Sequence, residues 1–358
     1  MLGRVGVGID LDPLAVLLSR AKTTVLDPRA FEKVASTVVQ KASARMVKMS
    51  PLFGASGARL SAYGEETQSF FEYWFERRTS LELSCLRNEI AKVRDATTRN
   101  VLKVAFSSII ITKSGGVTLS RDLAHTRPHK DPDKEPGAVL PLFQKAVKKM
   151  IVALESLVQA SRGLAWGEAS VARGDSRLLP MRDGCVKLIV TSPPYAIALD
   201  YMRAHKFSLS WFGYDMSSLR RLRSKYIGAE SGKCQKNPTL VPELASVLSE
   251  INKQDRHKAR SIANYFSAME TSLGEMHRVL QPGGYAILVV GPSSARRIEI
   301  PTHRILGALG ESKGFDLLTI RERMIDRNSR QLPVSNNSVK EGIERRIYRE
   351  YIVPFFKN

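Results

Sequence analysis

Cysteine is scarce in this chain. Cys85, Cys185 and Cys234 are its three thiols in 358 residues, with no CxxC pair, which argues against a zinc site or a disulfide framework and fits a reducing compartment. Long apolar runs are missing too. The longest, such as Val186 to Val190 and Ala286 to Val290, are too short to span a bilayer. The N-terminus has no cleavable signal pattern, so no membrane association is expected, and the expected location is cytoplasmic. Negative charge is also in short supply. Thirty-five Asp and Glu face 55 Lys and Arg, a net charge of +20. The excess falls in clusters at Lys145 to Lys149, Arg220 to Lys225, Lys253 to Arg260, Arg296 to Arg297 and Arg321 to Arg330. Such a surplus predicts a polyanionic partner, because each neutralised phosphate releases counterions and adds salt-dependent affinity.

The remaining pattern is α/β. Val5 to Ile9 is a short apolar run that ends at Asp10, and Pro13 opens a helical stretch to about Lys22, with Asp12 placed to cap it. Residues 27–165 carry helical spacings such as Phe70-Phe71-x-x-Trp74-Phe75, interrupted by a polar, Pro-containing stretch from Ser120 to Pro136. Alternation resumes near Ala169. Val186 to Val190 reads as a compact buried strand, followed by a helix from about Leu199 to Phe212. The stretch from Ser217 to about Arg260 is basic and rich in Ser, Asn and Gly, and is read as partly mobile. A helix from about Ser261 to Leu280 is expected to stop at Pro282-Gly283-Gly284. Strands at Tyr285 to Val290, Phe315 to Arg321 and about Arg346 to Phe355, with a helix from Thr302 to Lys313, complete a mostly parallel sheet with covered faces.

Chemistry concentrates in Ser192-Pro193-Pro194-Tyr195, directly after the strand ending at Thr191. Loops at the carboxyl ends of strands form the ligand crevice of an open α/β sheet. A base amine is a poor nucleophile because its lone pair is delocalised into the ring. Two acceptors, the Ser192 hydroxyl and the Pro193 carbonyl, can bond its hydrogens and free that pair. The double proline aims the carbonyl in advance, and Tyr195 offers a flat face for an extruded base. Neither a thiol nor a metal is required. The plain alternative, a docking peptide, belongs in exposed disordered segments rather than after a buried strand.

These residues resemble the amino-methyltransferases of DNA, whose signature is Asp, Asn or Ser followed by Pro-Pro and an aromatic residue. The likeness extends to Gly174-Asp175-Ser176-x-x-Leu-Pro180, to Met276-His277-Arg278-Val279-Leu280-x-Pro282-Gly283-Gly284 and to Gly8-Ile9-Asp10-Leu11-Asp12-Pro13. It covers roughly residues 1–22 and 169–355. The resemblance implies a class I methyltransferase fold, a Rossmann-like sheet with an antiparallel final strand, carried by residues 1–26 and 166–358. Residues 27–165 would be a helical insertion and the candidate target-recognition region. It implies S-adenosylmethionine as cofactor, with Asp10 on the ribose hydroxyls, Asp175 on the adenine amine and Thr191 beside the cofactor. DNA is the implied partner, with Arg220, Arg221, Arg327 and Arg330 as candidate contacts. The Ser before the prolines favours cytosine N4 over adenine N6. His125 and His129 are read as loop or DNA-contacting residues rather than metal ligands.

One element of the family pattern is not matched. Its first strand ends in a Gly-rich loop that cradles the methionine part of the cofactor, about twenty residues before the second strand; here Met1-Leu2-Gly3 stands almost on that second strand. The expectation is a missing central strand, two unpaired inner edges, and a longer parent protein or a second chain that supplies the loop. Two other functions stay open: a base amino-methyltransferase of RNA, and a basic DNA-binding protein that has lost catalysis.

Overall fold

The computed structural model describes residues 3–55, 63–112, 116–121, 128–163, 167–196, 200–229, 238–325 and 349–358. In chain order the elements are β1 (Gly6–Asp10), α1 (Pro13–Lys22), α2 (Pro28–Ala55), α3 (Glu65–Trp74), α4 (Arg77–Ala91), α5 (Ala96–Ile110), α6 (Val139–Ala160), β2 (Ala169–Arg173), β3 (Val186–Thr191), α7 (Met202–Trp211), α8 (Met216–Arg223), α9 (Pro242–Gln254), α10 (Arg256–Val279), β4 (Leu280–Val290), β5 (Ser293–Ala295), β6 (Ile298–Ile300), α11 (Thr302–Glu311), β7 (Asp316–Leu317), β8 (Arg321–Met324) and β9 (Arg349–Phe356). They form two compact units, Met1–Arg173 with Tyr201–Arg220, and Gly174–Asp200 with Arg221–Asn358.

The first unit is mainly helical. Its N-terminal turn follows the sequence: the Asp12 carboxylate accepts from the Leu14 amide at 2.7 Å and the Ala15 amide at 3.4 Å, with Pro13 opening α1. β1 and β2 pair in parallel, from Gly6 opposite Ala169 to Asp10 opposite Arg173. The core lies among α2 to α6 and is strongly aromatic, with Phe31, Phe71, Phe75, Phe106 and Phe143 almost fully buried. α7 closes it. Its Trp211 ring lies 4.2 Å from Phe71 and 5.5 Å from Phe75, and Phe207 lies 5.0 Å from Phe70. The aromatic stripe of α7, remote in sequence, has its partners on α3, on Phe75 just after it and on α5, so it groups with them.

The second unit holds a five-stranded sheet of order β3-β4-β9-β7, with β8 also on β9. β3 runs parallel to β4, and β9 is antiparallel to it, from Tyr285 opposite Phe356 to Val290 opposite Tyr351. Ala286, Leu288 and Val290 of β4 are fully buried against α10, α11 and β9. β3 behaves differently. The apolar run Val186 to Val190 predicts a buried strand, yet Leu188 is 44% exposed and Val190 65%. The reason is its place at the sheet edge, with β4 as its single partner among the described residues. In the first unit Val5 (74%), just before β1, and Val7 (53%), within it, are exposed in the same way.

The sheet of the second unit, expected to be mostly parallel, has one parallel and three antiparallel pairings among the described residues, because β9 takes β4, β7 and β8 as antiparallel partners. Other expectations differ as well. The basic stretch after Ser217 contains two helices, α8 and α9, because Leu244, Val247 and Ile251 fall on one buried face. α10 starts at Arg256 rather than Ser261, since the Asp255 carboxylate caps it by accepting from the Lys258 amide at 2.9 Å. At its other end, α10 stops at Val279 and β4 runs through Pro282-Gly283-Gly284, with Gly283 at φ 76°, a conformation that favours glycine. No described helix is long and apolar enough to cross a membrane.

Candidate active site

The predicted catalytic loop leaves β3 at Thr191, which lies opposite Leu288 of β4. The Ser192 hydroxyl donates to the Val289 carbonyl at 3.0 Å. That bond uses the only hydrogen on Oγ and leaves its lone pairs as acceptors. Pro193 is buried and Pro194 half-buried. The Pro194 carbonyl accepts from the Tyr265 hydroxyl at 2.8 Å. Tyr265 is fully buried in α10, and burial pushes its phenol far above the ordinary tyrosine range. It therefore stays protonated and remains a donor. The loop is thus tied to β4 at one end and to α10 at the other, and the Pro193 carbonyl lies between the two ties.

Tyr195 is 40% exposed and supported by Gly291. A Cβ at position 291 would lie 2.7 Å from the Tyr195 ring carbon Cζ and 2.9 Å from its hydroxyl. Gly291→Ala is therefore expected to swing the ring away without unfolding the chain. Base–aromatic stacking is worth about 1–3 kcal/mol, so kcat/KM for DNA methylation should fall about tenfold while the circular-dichroism melting curve is retained. An unchanged kcat/KM would remove Tyr195 from the site.

The first unit holds the other predicted groups. Asp10 ends β1 at an exposed position, and its Oδ1 accepts from the Asp12 amide at 2.8 Å. Desolvation at the strand end raises the Asp10 carboxyl above its usual range, against the opposing pull of the Asp12 amide. Beside it the His205 Nδ1 lies 2.5 Å from Asp12 Oδ2. The Tyr201 ring is 6.0 Å from that imidazole, and burial, reinforced by the negative charge of Asp10, raises the Tyr201 phenol. His205 and Tyr201 carried no sequence signal: they stand about 190 residues from Asp10 in the chain and reach it through the fold of α7.

Asp175 is already engaged. Arg177 grips both its oxygens, Nε to Oδ1 at 2.9 Å and an Nη to Oδ2 at 2.6 Å, and the Arg177 amide adds a third bond at 3.0 Å. Burial alone would raise this carboxyl, but the Arg177 bonds hold it below its usual range. The spacing Asp-x-Arg is visible in the sequence and signals such a local clamp. Arg220 is likewise paired, with Glu66, one of its contacts at 2.8 Å. Arg221 also has a partner. Arg327, Arg330, His125 and Cys234 lie outside the described residues. No cluster of three or more His, Cys, Asp or Glu able to hold a metal occurs among the described residues.

The edge strand, the proline-stiffened loop and the exposed aromatic make up the candidate site of the second unit. The DNA methylase family of N6/N4 type matches residues 186–352, a segment that contains the loop, α10 and most of the five-stranded sheet, and the chain is similar to this DNA amino-methyltransferase family over that stretch. A curated relative, the type II methyltransferase M.MvaI of Kocuria varians, is 22% identical over 355 residues, covering 93% of this chain and 76% of its own length. Among solved structures, a DNA modification methylase of Thermus thermophilus complexed with S-adenosyl-L-methionine shares 17% identity at a TM-score of 0.26, over 51% of this chain. The match spans about half of that protein, 53% of its length. A SAM-dependent methyltransferase of Methanosarcina mazei shares 12% at a TM-score of 0.25, over 58% of this chain and 78% of its own. At such scores these overlaps assign no residue a role.

Proposed function

We propose that this chain transfers a methyl group from S-adenosylmethionine to an exocyclic base amine of duplex DNA, with cytosine N4 favoured over adenine N6. The observation that supports it is the loop itself. Ser192 has its hydrogen committed to Val289, and the backbone around Pro193 is held by the Tyr265 bond to Pro194. Two acceptors are then preorganised for the two hydrogens of an amine, and no reorganisation is left for the reaction step. Tyr195 stacks the extruded base and excludes water from one of its faces. S-adenosylmethionine, when bound, would supply an electrophilic methyl group.

The residues present fit such a cofactor in part. Within the first unit, Asp10 at the strand end offers a carboxylate of the kind that suits a ribose diol; within the second, Thr191 leads directly into the loop. Asp175 meets an adenine amine after Arg177 releases one of its oxygens. That clamp favours a second reading, a DNA-binding protein without transferase activity. Methylation of plasmid in cells expressing the chain, followed by nucleoside mass spectrometry, separates the readings. The expected product is N4-methylcytosine. Methyl transfer to RNA but not to DNA, or DNA binding with no methylated base under any condition, would count against the proposal.

A further inference from the structure

A basic groove in the second unit has no part in the loop chemistry. α9 and α10 meet at Asp255, which ends the first helix and caps the second. Between them lies a groove of about 480 Å³ lined by Ser249, Asn252, Arg256 and Arg260, with Leu248 and Ala263 on its apolar side. No carboxylate lines it. Arg256 and Arg260 are exposed, and neither guanidinium has a side-chain partner among the described residues. The nearest acid in sequence, Asp255, is neutralised. Its carboxylate accepts from the Lys258 amide and from Arg296 at 2.7 Å, and these two contacts hold it below the usual carboxylate range. Exposed Lys253 and His257 lie on the same helix junction. Arg297, at the tip of the β5–β6 hairpin, sits at positive φ beside Arg296.

We propose that this groove takes the phosphodiester backbone of duplex DNA, with Arg256 and Arg260 each on a phosphate and Ser249 and Asn252 hydrogen-bonding the phosphate oxygens. Charge complementarity carries the assignment. Two arginines one helical turn apart have Cβ atoms about 5–6 Å apart, and planar guanidinium groups bind phosphate oxygens in pairs. Side chains without an intramolecular acid lose no ion pair when they engage the backbone. These contacts would position the duplex without reading its sequence. The inference rests on the DNA reading of the site and adds where the backbone is held.

The test is duplex-DNA binding by fluorescence anisotropy across about 50–200 mM salt, with the whole chain and with the double variant Arg256→Gln, Arg260→Gln. Both positions are exposed, so the fold should persist, which circular dichroism checks. Each lost phosphate contact lowers the slope of log K against log salt by about 0.9. The double variant is therefore expected to lose about 1 to 2 units of slope and about tenfold or more in affinity at low salt, equally on unrelated sequences. Equal affinity and slope in the two proteins would overturn the groove alone. Absence of salt-dependent DNA binding by the unmodified chain would overturn the DNA reading with it.

Discussion

Ser192→Ala is expected to lower kcat for methyl transfer about 10²- to 10³-fold, the range measured when one preorganised hydrogen-bonding group is removed from a reacting centre. KM for DNA and affinity for S-adenosylmethionine should move little, since the lost contact forms with the amine in the transition state. The structure supplies the reason. Oγ is held by its own donated bond to Val289, so the substitution deletes an aimed acceptor rather than a mobile hydroxyl. The Tyr265 bond to Pro194 remains in the variant and keeps the loop in place. Ser192→Thr, which retains the oxygen at an exposed position, should recover part of the rate. Single-turnover methylation of duplex DNA measures it. A kcat within a few-fold of the parent would mean that the amine is held by other acceptors.

Trp211→Ala should destabilise the helical unit by about 3–5 kcal/mol, the usual cost of deleting a buried aromatic. Trp211 is fully buried and packs against Phe71 and Phe75, joining α7 to α3 and to the residue after it. Removing it leaves a cavity whose walls belong to several helices and cannot collapse together. Its indole Nε1 has no hydrogen-bond partner among the described residues, so Trp211→Phe, which deletes that N–H and keeps a ring, should cost less than Ala. Because the chain forms two compact units, unfolding need not be two-state. Hydrogen exchange of amides in α4 and α5 reports on this unit directly, and a loss of protection under about 1 kcal/mol for Trp211→Ala would show that the aromatic cluster does not carry its stability.

What could be read ahead of the fold and what could not divide by the range of the forces involved. Asp12 as cap, Pro13 as first helical residue and β1 ending at Asp10 follow from contacts within three residues, and the structure has all of them. Helical spacing marked the segment 27–165 and it folds as α2 to α6. α9 was hidden because a basic, Ser-rich composition masked the spacing Leu244, Val247, Ile251, which is nonetheless a buried helical face. The exposure of β3 was hidden because an apolar run cannot report which of its edges is paired.

The same division holds at the candidate site. The chemistry of Ser192-Pro193-Pro194-Tyr195 is a property of four adjacent residues: a hydroxyl, a carbonyl fixed by proline rings and an aromatic face. The role proposed for that loop therefore rests on residues adjacent in the chain, inside the segment that the family match covers. Which groups are free to do it was settled in three dimensions. Folding committed the Ser192 hydrogen to Val289, tied Pro194 to Tyr265, set Tyr195 against Gly291, closed Arg177 over Asp175 and brought His205 to Asp12. Apart from the Arg177 clamp, these pairings join residues far apart in sequence. Hydrogen bonds and close packing act over a few ångströms of space, and only the folded chain brings such partners within that distance.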